Sequence, residues 1–336
     1  MSVVLLMLLL TGCGSGGEGE AKLVEYQRAL AEALGQPPPD RNDPPNIGAF
    51  PERAERLFDI AETREGMRNV YALRECGVTS LVAARNNQLG RVAPPSQQWI
   101  YELELWRRLH GCWESDVPAA LSPGDRERLE RLTRIKTEQL PNVSWNSLFD
   151  SEEWVRNFSR ASSPLAPGDT RGIEAQLEAI GWLQQATLNQ FNPEWQHESS
   201  TLENHLKSLR SRPFTAELLR ALMLAEQRLN EANQLLIANL ESHQGCTDLA
   251  SPPSTLNSRL STLDAFAWLA HLENLATRWL KAIDALLESH VPAPDAVAVY
   301  RSHWLSLTNP DAPLPALRQA RGEHEDLWQS LIARCS

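Results

Sequence analysis

Two apolar series with the same rhythm constrain this chain most. Leu218, Leu222, Ala225, Leu229, Ala232 and Leu236 follow one another at steps of four and three residues. Ala265, Leu269, Leu272, Ala276, Trp279, Ile283 and Leu286 repeat the pattern. Such steps put every apolar side chain on one face of an α-helix, the seam along which helices pack nearly parallel. The first helix opens at Pro213 and reaches about Ser242. The loop between the two holds Cys246, Pro252 and Pro253. An antiparallel pair follows, each arm about 40 Å long at 1.5 Å per residue.

The rest of the chain reads the same way. No alternating β-branched runs lie between tight turns, and no period supports a repeat array. A helix over Glu20–Leu34 ends at Gly35 and a proline-rich loop. Pro51 sits well in the first turn of a helix to about Cys76. Helical character continues through "GVTSLVAARNNQLG". After Pro94-Pro95, Ser96 reads as the N-cap of a helix to His110. Further helices start near Pro123, Ser151 and Asp169, and the last covers about Leu314 to Cys335. The expected fold is all-α: an elongated multi-helix bundle of antiparallel helical hairpins. The stretch "ASSPLAPGD", residues 161–169, is the candidate boundary between two halves of a helical domain over 20–336.

The amino-terminal stretch "LLMLLLTGCGSGGEGEAK" supplies an address. Its apolar run is too short for a spanning helix, which needs roughly 20 residues, and has the size of a signal-peptide core. Leu10-Thr11-Gly12-Cys13 resembles the lipobox of bacterial lipoproteins. That resemblance implies removal of residues 1–12, acylation of Cys13, and a tether over 13–19. Gly14 is not the aspartate that keeps such proteins in the inner membrane, so the expected location is the outer membrane, facing the periplasm. Stable attachment takes more than one acyl chain, which a lipobox cysteine carries. The positive residues that normally precede the apolar run are missing.

Cysteine usage fits an oxidising compartment. Besides Cys13 there are Cys76, Cys112, Cys246 and Cys335. Four cysteines allow three pairings. Cys76–Cys112 and Cys246–Cys335 keep each pair within one half of the chain; four buried thiols are the alternative. His243 and Cys246 lie three apart, but no second ligand pair follows, so no metal is expected. The formal charge of −11 argues against nucleic acid, which selects clustered Lys and Arg.

Arg85, Asn86, Asn87 and Gln88 form the most distinctive polar cluster. They precede a helix start, whose N-terminus favours anions. The cluster reads either as a recognition surface or as the cap of a helix–helix corner. It lies in the block "LRECGVTSLVAARNNQLGRVAPPSQQWIYELELW", with its Arg-Asn-Asn, Leu-Gly-Arg-Val, Pro-Ser-Gln and Tyr-Glu-Leu. Together with the lipobox and the helical layout, this block resembles the DUF3080 family of proteobacterial lipoproteins. The family carries no assigned activity, so the resemblance implies fold and location only.

Enzyme signatures are sparse. There is no Gly-x-Ser-x-Gly, Ser-x-x-Lys, phosphate loop or His-Glu-x-x-His. Glu194-Trp195-Gln196-His197 gives a single Glu-x-x-His where a di-iron bundle needs two. The run Glu323-His324-Glu325-Asp326 reads as a solvated helix face. The expectation is a non-catalytic adaptor or scaffold, without cofactor, anchored to the membrane through Cys13 and presenting helix faces to an envelope protein. The alternative is a peptidoglycan- or glycan-directed binding protein or hydrolase, with paired carboxylates hidden in a cleft. A carrier of an apolar ligand would need a continuous apolar tunnel.

Overall fold

The structure, a computed structural model, describes residues 17–335 except His197. Signal segment 1–12 and the lipidation residue Cys13 lie outside the described residues. All longer elements are helices: α1 (Gly17–Ala33), α2 (Val78–Asn86), α3 (Pro95–Trp113), α4 (Pro123–Phe149) and α5 (Ile173–Leu188). They continue with α6 (Ser199–Arg210), α7 (Phe214–Glu241), α8 (Pro253–Ser261), α9 (Asp264–Glu288) and α10 (Pro313–Cys335). Short turns join them, and no strand occurs among the described residues.

The larger core surrounds α7, whose seam residues Leu218, Leu222, Ala225 and Leu236 are fully buried. α7 and α9 are antiparallel: Trp279 Nε1 donates to Thr215 at 3.0 Å, near the start of one helix and the latter half of the other. The broadest face of α7, however, meets α10, which runs parallel to it. Asn233 donates to the Ala320 carbonyl and Arg334 to the Ser242 carbonyl, so positions rise together. The Cys246–Cys335 disulfide closes this end.

α1 joins this core from its first turn. Gly17–Gly19, expected in the tether, are helical. A side chain at Gly19 would stand 2.7 Å from the Trp268 indole, so only glycine lets α1 approach α9 this closely. One residue on, Glu20 accepts from Arg228 at 2.7 Å. Arg228 is 1 % exposed and also pairs with Glu231 at 2.6 Å.

A smaller core lies across α3 and α4. These pair antiparallel: Lys136 meets Glu102 at 2.9 Å, while Thr133, earlier on α4, donates to the carbonyl of Leu109, later on α3, at 3.4 Å. Val70, Leu73, Val78, Leu105, Leu109, Leu129 and Leu132 form it around the Cys76–Cys112 disulfide. Both expected pairings are therefore present. Segment 161–169 is pinned across the bundle, since Leu165 is 4 % exposed and its N–H donates to the Glu217 carbonyl at 2.9 Å.

Three local expectations are corrected. Ser96 is not the N-cap of α3; Pro94 is, and the Ser96 hydroxyl instead donates to Glu203 at 2.7 Å. His324 does not lie on a solvated face but is 3 % exposed. The helix from Pro51 to Cys76 is interrupted: Arg53–Arg56 and Met67–Ala72 are helical, and residues 58–66 between them carry no regular structure. Side chains of α4 take over the backbone of that segment. Asn146 accepts from the Phe58 N–H at 2.9 Å and donates to the Phe58 carbonyl at 2.8 Å. Gln139 donates to the Ala61 carbonyl at 2.8 Å.

Candidate functional site

The interrupted segment walls a cavity of about 890 Å³. Its floor is apolar, from Val78 and Val82 of α2, Leu105 and Leu109 of α3, and Leu132 and Val143 of α4. One side is the strap 57–65, stretched along α4. Its fixing points, Asn146, Gln139 and Arg131, are seven and eight residues apart, about two helical turns each. The strap covers the same distances in three and four residues, which only an extended chain does. Leu57, Phe58, Ile60, Thr63 and Glu65 are half-buried, while Asp59, Ala61, Glu62 and Arg64 are exposed.

Every carboxylate lining the cavity faces a cation. Glu62 meets Arg64 at 2.5 Å, Glu102 meets Lys136 at 2.9 Å, and Asp150 meets Arg53 at 2.7 Å. Glu65 pairs with Arg131 and, at 3.7 Å, with Arg128. Burial opposes ionisation of Glu65, but hydrogen bonds from Asn69 and Arg131 and the two guanidinium charges hold it below the usual carboxylate range. Tyr101 is pushed up to about 12 by burial and by the neighbouring Glu102 charge. A general acid must stay protonated, and adjacent cations have the opposite effect.

The polar cluster divides at this cavity. Arg85 and Asn86 line it. Arg85 lies over the Tyr101 ring, 5.8 Å from its centroid, and donates to the Gly90 carbonyl. Of the cations lining the cavity, it is the one without a carboxylate partner among the described residues. Asn87 turns away and accepts from the Gly90 N–H at 2.8 Å, and Gln88 is exposed at the next one-turn helix, Gln88–Arg91. Arg85 and Asn87 thus both hydrogen-bond within the corner at Gly90, and Arg85 and Asn86 line the cavity as well. Sequence reasoning missed Tyr101, the Glu102–Lys136 pair and the strap. The pair joins residues on two helices, which no local spacing reveals. The strap's composition favours helix, and only its half-buried alternation hints otherwise.

A second cavity of about 440 Å³ lies between α7 and α10, with Glu226, Asn230, Trp304, Asp311 and Glu323 among its walls. Burial raises the Glu226 carboxyl above its usual range, against a 2.6 Å hydrogen bond from Asn230. Glu194 is exposed, and its sequence partner His197 lies outside the described residues. Among the described residues no three His, Cys, Asp or Glu side chains are grouped to hold a metal ion, and no helix is long and apolar enough to cross a membrane.

The sequence model of one family, described as "Protein of unknown function (DUF3080)", matches residues 23–336. Comparison with curated proteins and with solved structures finds no match. The match spans the cavity, the Arg85–Gln88 corner, both disulfides and nearly all of the bundle, and the chain belongs to the DUF3080 family.

Proposed function

We propose that this protein is a lipoprotein held by Cys13 on the periplasmic face of the outer membrane, where it acts without catalysis as an adaptor for another envelope protein. The cavity beside Arg85 and Asn86 carries the reading. It is large, its floor is apolar, and each of its carboxylates is paired with a cation. That arrangement suits holding a partner rather than moving protons. Polar side chains interrupt the walls throughout, which disfavours an acyl-chain tunnel. Two disulfides agree with the oxidising compartment the anchor implies.

Replacing Arg85 and Asn86 together with alanine is expected to abolish partner capture while shifting the melting temperature by less than about 2 °C, as for other surface changes. Unchanged capture with a large loss of stability would reduce the cluster to a structural corner. Mass measurement of the amino-terminal peptide tests the anchor: the account expects a chain beginning at an acylated Cys13.

A second reading has one specific observation behind it. In the smaller cavity a carboxyl of raised pKa, Glu226, lies beside Trp304 and two further acids, a setting that suits a glycan and a general acid. Turnover of purified cell wall that disappears in Glu226→Gln would favour it.

A further inference from the structure

The strap over residues 58–65 presents an unpaired main-chain edge to the larger cavity. Among the described residues, the N–H groups of Asp59 through Glu65 make no hydrogen bond with other protein groups. Phe58 directs both its N–H and its carbonyl at Asn146, and the Ala61 carbonyl faces Gln139. In a trans peptide a carbonyl and the N–H that follows it point in opposite directions. With the Phe58 and Ala61 carbonyls on α4, the N–H groups of Asp59 and Glu62 therefore turn away from it. An extended edge of this kind is a template for another extended chain.

We infer that the cavity takes an extended peptide segment of the partner, which adds alongside the strap by main-chain hydrogen bonds. This deepens the adaptor reading above and rests on it. The strap from Phe58 to Glu65 offers a run of about 23 Å at 3.3 Å per residue. Alternate side chains of the segment then enter the apolar floor at Val78, Val82, Leu105 and Leu109. Charge sets the polarity of the ligand. With the cavity's carboxylates all paired, Arg85 is left to receive a carboxylate, either an acidic side chain or a chain end. An acyl chain would use the floor but leave the strap edge unpaired and offer Arg85 no carboxylate. A glycan offers no regular series of donors and acceptors to match the edge.

The test uses the full-length protein and a display library of random twelve-residue peptides with free terminal carboxylates. Peptides with apolar residues at alternate positions and a carboxylate at one end are expected to be enriched. Glu62→Pro removes one edge N–H that has no partner in the protein, at a position already extended. It should keep the melting temperature and weaken the enriched peptides at least about tenfold, the scale of one lost hydrogen bond. Glu62→Ala loses the same ion pair with Arg64 but keeps the N–H, so the further loss in the proline variant reads the main-chain bond alone. Arg85→Ala should weaken peptides ending in a carboxylate more than their amides. Should Glu62→Pro lower the melting temperature, methylation of alternate peptide nitrogens probes the same bonds on the unaltered protein, with the same expected loss. Full binding by Glu62→Pro or by the methylated peptides, or no enrichment from the library, would overturn the inference. A partner captured in cells with no peptide bound in the library would leave the adaptor reading standing and remove this one.

Discussion

The Tyr26 hydroxyl donates to Nε2 of His324 at 2.5 Å, joining α1 to α10 across 298 residues of chain. The proton assignment follows from the network. Asn233 donates its amide to the Ala320 carbonyl and so turns its oxygen to His324 Nδ1, at 2.6 Å. Nδ1 therefore carries the proton, and Nε2 accepts from Tyr26 and from Trp328 Nε1 at 3.1 Å. A charged imidazole has no acceptor role to play here, and burial pushes the His324 pKa down to about 4.

Stability should therefore fall in mild acid. Burial also lowers His290 to about 4. The unfolded chain takes up protons at both histidines near their ordinary 6.5, while the folded chain refuses them until about 4. Their contribution is complete above that ordinary value and is lost as pH falls toward the folded one, by about 3 kcal/mol for each. Urea unfolding at pH 7 and pH 4.5 should show most of this loss, and His324→Gln should flatten the dependence. An unmoved midpoint would mean that the two rings are not held neutral.

Two helical glycines should respond with opposite signs. Gly19→Ala sets a methyl 2.7 Å from the Trp268 indole, and overpacking of this kind costs about 1–3 kcal/mol against a helix-propensity gain of about 1. Gly181, inside α5, has open space where its side chain would be, so Gly181→Ala should stabilise by up to about 1 kcal/mol. Calorimetry of the two variants side by side checks both signs.

Arg228→Ala should be among the most damaging single changes. It strips Glu20 and Glu231 of their buried cation and takes the guanidinium donor from the Asn42 carbonyl. Breaking such a pair on one side costs about 3 kcal/mol or more. Hydrogen exchange should then accelerate first in α1. Uniform acceleration across the bundle would show that this cluster does not hold α1 in particular.

Loss of the Cys76–Cys112 bridge should act locally. Its loop of 36 residues is worth about 4 kcal/mol on the chain-entropy scale, and the core around it is small. The double serine variant should be cut early by protease in the strap and near Asn87, with the α7–α10 core still protected. The corresponding change at Cys246 and Cys335, across 89 residues, should lower the global transition instead.

The helices of this fold were legible where a face is buried along its whole length. The α7 and α9 seams, the proline openings of α3 and α4, and both cysteine pairs could be read directly, whereas α8 lies where a loop was expected. Failures share one cause. Residues 58–66 carry helix-forming Ala, Glu and Arg, yet Asn146 and Gln139, some 80 residues away, claim that backbone. Ser96 has the chemistry of a cap but serves Glu203. His324 sits in an acidic run that reads as solvated, but α1 and α7 bury it. The candidate site was half visible: Arg85 and Asn86 stood out as a polar block, while the strap opposite them is defined only by tertiary contacts.

Photo-crosslinking at Asn86 in intact cells tests the central claim most directly. Asn86 is exposed and lines the larger cavity, so a photoreactive residue there samples what the cavity holds. The account predicts one dominant adduct with an envelope protein, lost when Arg85 is also replaced. Adducts with cell-wall glycan, or the same background as a control position on the exposed face of α4 such as Glu130, would contradict it.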